Sequence, residues 1–198
     1  MAIIRSTPRE CFSFFQGLVR ELIAATLTKH DVIGPTNQTE TKMTLSFVRG
    51  GEATIPLKTK YGKLHFYLGQ TLEAEPIPKE KKYRLRTRQY WYRLQRTAGI
   101  KDQAIIRWEY DSTIQPSRHC RHHVQFPLSL SVPKGTLSLN KTHLPTGWVT
   151  IEEVIRFLIV DLGVRPPCGS RWPSVLKKSE SKFFRELTAA DERARQSL

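Results

Sequence analysis

Apolar residues at three- and four-residue spacing occupy Phe12, Phe15, Val19, Leu22, Ile23 and Leu27, which predicts an amphipathic helix over Pro8 to Thr28. Thr7 is placed as its N-cap, Pro8 at the first helical position and Glu10 in the first turn. Its polar face is not basic, so core packing is expected rather than membrane docking. Gly34-Pro35 and the polar run through Lys42 are expected to form a loop.

From Met43 the period changes from helical to alternating. Met43 to Val48, Ala53 to Leu57 and Lys63 to Leu68 read as short strands joined by glycine turns at Gly50-Gly51 and Tyr61-Gly62. Glu73 to Lys79, with Pro76 and Pro78, is expected as a connector. Gly50-Gly51 lacks a following Lys-Ser/Thr, which excludes a phosphate-cradling P-loop.

Lys82 to Leu94 is the longest strand candidate. In a regular strand Lys82, Arg84, Arg86, Arg88, Tyr90 and Tyr92 share one face, while Tyr83, Leu85, Thr87, Gln89 and Trp91 share the other. After a turn at Gln95 to Lys101, a second strand over Gln103 to Tyr110 sets Ile105, Arg107 and Glu109 against Ile106, Trp108 and Tyr110. A turn over Asp111 to Pro116 follows, and Ser129 to Leu139 reads as a hairpin turning at Pro133-Lys134-Gly135. Thr150 with Glu153 three residues on forms a capping box before Val154, Ile155, Phe157, Leu158 and Ile159, in a helix expected to end at Gly163. Beyond Pro166-Pro167, Val175, Phe183, Phe184 and Leu187 suggest a last helix.

These elements predict an α+β fold: an antiparallel, twisted, mainly-β sheet with an N-terminal helix and C-terminal helices packed against it. Residues 1–78 form a helix and hairpin region, 79–163 a basic sheet with its closing helix, and 164–198 a helical extension, all within one compact unit.

Charge adds a ligand class. The 198 residues carry 32 Lys+Arg against 18 Asp+Glu, a formal net charge of +14, so polyanions are the expected partners. The excess is local: residues 1–40 are neutral, whereas residues 79–101 hold nine Lys+Arg and one Glu. Cys11, Cys120 and Cys168 are odd in number and widely spaced, which supports neither a disulfide framework nor a zinc knuckle and suits a reducing cytoplasm. No stretch has the length and apolarity of a signal peptide or a bilayer span, so no membrane role is expected.

The densest chemistry lies at Arg118-His119-Cys120-Arg121-His122-His123, which holds three of the six histidines. One option is a metal site using His119, His123 and His143, or Cys120, with Asp111 or Glu109. Another is a basic surface of exposed hydrogen-bonding histidines, and a third is acid/base catalysis.

Tyr90-Trp91-Tyr92-Arg93-Leu94-Gln95, a turn with Gly99, Ile106-Arg107-Trp108-Glu109-Tyr110-Asp111, Pro116, His122-His123, and Pro145 through Thr150-Ile151-Glu152-Glu153-Val154 come in an order that resembles the TumE family of toxins. The resemblance covers about residues 82–162. It departs from the family's Pro-His-His-x-His loop at Gln125, and His119 and Arg121 precede the histidine pair.

The resemblance implies a toxin of a toxin–antitoxin pair, neutralised by a DNA-binding antitoxin and acting on RNA. A metal-free ribonuclease then needs a base for the ribose 2′-hydroxyl, an acid for the leaving oxygen and cations for the phosphorane. His122, His123 and His119 are the acid/base candidates, with Glu109 orienting or accepting a proton and Arg107 and Arg121 on phosphate. Arg84, Arg86, Arg88 and Arg93 are expected to bind RNA, or DNA, with Tyr90 and Tyr92 holding bases. No metal or cofactor is called for. Adjacent residues of a regular strand face opposite ways, so His122 and His123 are not expected to act together, and His119 or His143 is the alternative second member. A non-catalytic module that binds nucleic acid or a partner is the alternative.

Overall fold

The computed structural model describes residues 3–30, 32–49, 53–99, 104–115, 120–133, 135–139 and 142–182. The N-terminal helix α1 (Pro8–Thr26) begins with the predicted capping box: the Thr7 hydroxyl accepts from the Glu10 amide at 3.2 Å, and the Glu10 carboxylate returns to the Thr7 amide at 3.2 Å. Its buried face is Cys11, Phe12, Phe15, Val19, Leu22, Ile23 and Thr26. The strands are β1 (Ile4–Arg5), β2 (Val32–Gln38), β3 (Lys42–Val48), β4 (Ile55–Thr59), β5 (Gly62–Ile77), β6 (Lys82–Gln95), β7 (Ala104–Asp111), β8 (His122–Gln125), β9 (Ser129–Val132), β10 (Gly135–Ser138) and β11 (Leu144–Pro145). The closing helix is α2 (Ile151–Val160), and the chain is helical again over 172–182, as α3.

One antiparallel sheet dominates, in the order β11-β8-β7-β6-β5-β3-β2, with β1 on β6 and β4 on β5. The remaining pair, β9 and β10, forms the predicted hairpin, registered Leu130 to Leu137. The helices cover one face of the sheet. There Phe12, Phe15 and Leu22 of α1 and Val154, Ile155 and Leu158 of α2 join Leu45, Phe47, Phe66, Leu68, Tyr92 and Leu94 in one core. Burial of each such aliphatic side chain contributes roughly 1.5–3 kcal/mol. The α+β, mainly-β expectation therefore holds.

Several local expectations do not. The presumed loop at Gly34-Pro35 is strand β2. Proline is tolerated because β2 ends the sheet and its pairing with β3 shifts between Pro35 and Asn37. The presumed connector at Glu73 to Lys79 is strand as far as Ile77, and Pro76 lies beyond the last β3 pair at Glu73, where one edge of β5 is unpaired by that strand. Helix α2 stops at Val160, three residues before Gly163, whose φ of +73° follows an Asp161 C-cap. The expected glycine turn at Gly50-Gly51 and the apolar residues Phe183, Phe184 and Leu187 lie outside the described residues.

The correction with most bearing on function is a β-bulge. Thr71 pairs with Gln89 and Leu72 with Thr87, which leaves Arg88 as an extra residue in β6. Alternation is interrupted there, so the basic and aromatic halves of the predicted stripe fall on opposite faces. Tyr90 and Tyr92 turn into the helix-covered core, 1% and 2% exposed. Arg86 and Arg88 lie with Glu73 and Glu75 on the other face, where Arg86 Nε is 2.7 Å and Arg88 Nη2 2.6 Å from the Glu75 carboxylate.

Candidate functional site

Strand register carries the candidate residues to two different faces. Tyr110 pairs with His122, and Glu109 with His123; Arg107 pairs with Gln125. Cross-strand partners share a face, so His123 joins Arg107 and Glu109 while His122 joins Tyr110 and Tyr90. The opposite-face expectation for the two histidines is met.

On the helix-covered face His122 is a packing residue. Its ring stacks on Tyr110 at 4.3 Å between centroids and lies 5.2 Å from Trp148. Burial, with Arg121 and His123 nearby, lowers its pKa, which favours the neutral ring. Tyr90 stacks on Tyr92 at 4.8 Å, and its hydroxyl accepts the Val149 amide at 3.1 Å. Burial pushes the Tyr90 hydroxyl up to about 12 and Tyr92 well above the usual tyrosine value. Neither ring is placed to stack on a nucleobase, which corrects that expectation. A cleft of about 520 Å³ on this side is lined mainly by Ile106, Trp108, Trp148, Val149, Val154 and Phe157, and none of the described candidate catalytic residues lines it.

The opposite face collects the chemistry. The Glu109 carboxylate sits among three cationic or basic groups: Oε2 is 3.4 Å from His123 Nε2, and Oε1 is 3.7 Å from Arg93 Nη2 and 3.9 Å from Arg107 Nη1. Arg107 Nη2 also donates to Gln125 Oε1. His123 is 4% exposed, and its Nδ1 lies 3.2 Å from the Cys120 carbonyl oxygen. A carbonyl only accepts, so in that contact Nδ1 is the donor, and Nε2 is the ring nitrogen turned toward Glu109. The His143 ring meets His123 edge-on at 4.6 Å. His123 Nε2 and Arg93 Nε, like Gln95 Oε1 and Thr146 Oγ1, are buried without a hydrogen-bond partner among the described residues.

The other described candidates lie apart from this cluster. Arg121 is exposed and its Nε donates to the Ile114 carbonyl at 3.1 Å. Arg88 is engaged by Glu73 and Glu75, and Arg86 by Glu75. Arg84 pairs across the sheet with Glu75, toward the far end of β6 from Arg93. Asp111 is pulled upward by its partial burial, but hydrogen bonds from Thr113 and Gln89 outweigh this and hold its pKa below the usual carboxylate value. His119 lies outside the described residues, and among those described no three of His, Cys, Asp and Glu form a metal-holding group.

Two members of this face are not singled out by sequence pattern: Trp91 and Gln125. Each alternates in step with a named residue, Trp91 with Arg93 and Gln125 with His123, but only the register shows that the four converge. Comparison of the chain with protein-family models, with curated proteins and with solved structures finds no match in any of the three.

Proposed function

We propose that this chain is a toxin-type endoribonuclease that cleaves RNA without a metal, with Glu109 and His123 as its acid/base pair. The observation that carries the proposal is the convergence of Glu109, His123, Arg93 and Arg107 on the sheet face away from the helices, in a chain of net charge +14. RNA supplies its own nucleophile. One member of the pair takes the proton of the 2′-hydroxyl as its oxygen attacks phosphorus; the other delivers a proton to the departing 5′-oxygen. The products are a 2′,3′-cyclic phosphate and a free 5′-hydroxyl. Arg93 and Arg107 hold the phosphate and offset the charge that builds on its oxygens, acting from fixed positions because each already contacts Glu109. His143, against the His123 ring, helps fix its plane.

As a toxin acting on cytoplasmic RNA, the protein is expected to be neutralised by an antitoxin partner. The test of the catalytic reading uses labelled single-stranded RNA and purified protein, with and without EDTA. Cleavage indifferent to EDTA, yielding cyclic phosphate ends and blocked by 2′-deoxy substitution at the cut nucleotide, supports it. Binding with no cleavage leaves the protein a nucleic-acid-binding module instead. Cleavage of the 2′-deoxy strand refutes the 2′-hydroxyl mechanism.

A further inference from the structure

Trp91 lies on the same face as the Glu109–His123 cluster and outside the hydrophobic core formed with the helices. Its cross-strand neighbour on β5 is Gly69, and its neighbour on β7 is Glu109. The glycine is what allows the ring to lie where it does. A Cβ at position 69 would come within 2.3 Å of Trp91 Nε1 and 2.4 Å of Cε2, so the indole rests directly over the Gly69 backbone. The indole N–H donates to the Tyr67 hydroxyl at 3.0 Å, which fixes the ring's rotation. Tyr67 is itself 2% exposed, with the Arg93 guanidinium 5.6 Å from its ring centre. Trp91, held from below and at its edge, remains partly exposed.

We infer that Trp91 is a stacking platform for one unpaired nucleobase of the RNA, placed beside the Arg93–Arg107 phosphate site; the inference rests on the nuclease reading above. Indole is the best stacking surface among the side chains, and an aromatic ring next to cations is the combination that single-stranded nucleic acids use. Arg93 is two residues along the same strand, roughly 7 Å away, and His123 is two strands across, roughly 10 Å. A base on the indole can therefore share one nucleotide with a phosphate at the arginines. A paired base presents no free face, so the site selects single-stranded RNA. Packing over a strand glycine also protects the backbone, and the experiment separates that role from stacking.

The probe is a short single-stranded RNA with 2′-O-methyl groups throughout, which binds without being cut, and a matched strand carrying abasic positions. Affinity is read by fluorescence anisotropy. The wild-type protein is expected to prefer the intact strand, and Trp91→Ala to bind it roughly 5- to 150-fold more weakly while binding the abasic strand as wild type does. Trp91→Phe is expected to recover much of the loss. Equal affinity of the wild-type protein for the two strands overturns the inference and needs no variant to be folded. A loss in Trp91→Ala that is the same for both strands also overturns it, because that is the mark of a structural role. Wild-type cleavage of unmodified RNA alongside either of these results would leave the nuclease reading standing; base-dependent binding without cleavage would remove the nuclease reading and keep the platform.

Discussion

Replacing Glu152 by Gln is expected to stabilise the protein at neutral pH and to lose that effect in acid. Glu152 lies in the first turn of α2 and is 2% exposed. Burial raises its pKa, with Glu180 adding to the rise, while hydrogen bonds from Ser179, its own backbone amide and Thr150 oppose it. The Ser179 hydroxyl donates to Glu152 Oε1 at 2.6 Å and thereby ties α3 to α2. Because the folded-state pKa lies above the unfolded one, the folded chain holds the proton more tightly. Stability therefore falls as pH rises from the ordinary glutamate value of 4.5 toward the raised value, and stays lower beyond it. Glutamine keeps the shape and an acceptor for Ser179 but never carries the charge. Each pKa unit of elevation corresponds to about 1.4 kcal/mol, which moves Tm by roughly 3–6 °C in a chain of this length. Thermal unfolding of both proteins between pH 4 and pH 8 is the assay. A Tm gain for Glu152→Gln that grows with pH and vanishes near pH 4 is expected. A variant less stable at every pH, or equally stabilised at pH 4 and pH 8, refutes the reasoning.

Thr150→Ala removes the hydroxyl that accepts from the Glu153 amide at the start of α2, and thermal unfolding should show a loss of about 1 kcal/mol. Tyr92→Phe deletes a buried hydroxyl that donates to Gln70 Oε1 at 3.4 Å. It should cost about 1 kcal/mol in urea unfolding and leave RNA affinity unchanged, since the ring faces the helices; a selective loss of RNA affinity would place the tyrosine at the nucleic acid after all.

What sequence made legible here is what local pattern encodes. The α1 periodicity, both capping boxes, the two faces of β7 from Ile106 to Tyr110 and the β9–β10 hairpin each depend on residues within a few positions of one another, whereas Ile105 falls at a register shift against β6. The bulge at Arg88 does not. It is visible only in the pairing of β6 with β5, where the one extra residue sends Tyr90 and Tyr92 inward and leaves the arginines outside. Pro35 and Pro76 read as breaks because a proline lacks an amide donor, yet each occupies a strand position where an edge tolerates that lack. At the candidate site, the pattern named Glu109, His123, Arg93 and Arg107 one by one. It gave no means of choosing His123 over His122, because that choice is made by the β7–β8 register. Trp91 went unselected for a similar reason: its position depends on a glycine 22 residues earlier.

The proposed chemistry belongs to the His123 face of β8 and not to the His122 face. Single-turnover cleavage of single-stranded RNA by His123→Ala and by His122→Ala, each checked for folding by circular dichroism, tests this directly. Loss of a proton-transfer group should slow His123→Ala by about 10²- to 10⁴-fold, with His122→Ala remaining within tenfold of wild type. Folded His122→Ala without activity, beside an active His123→Ala, would contradict the account.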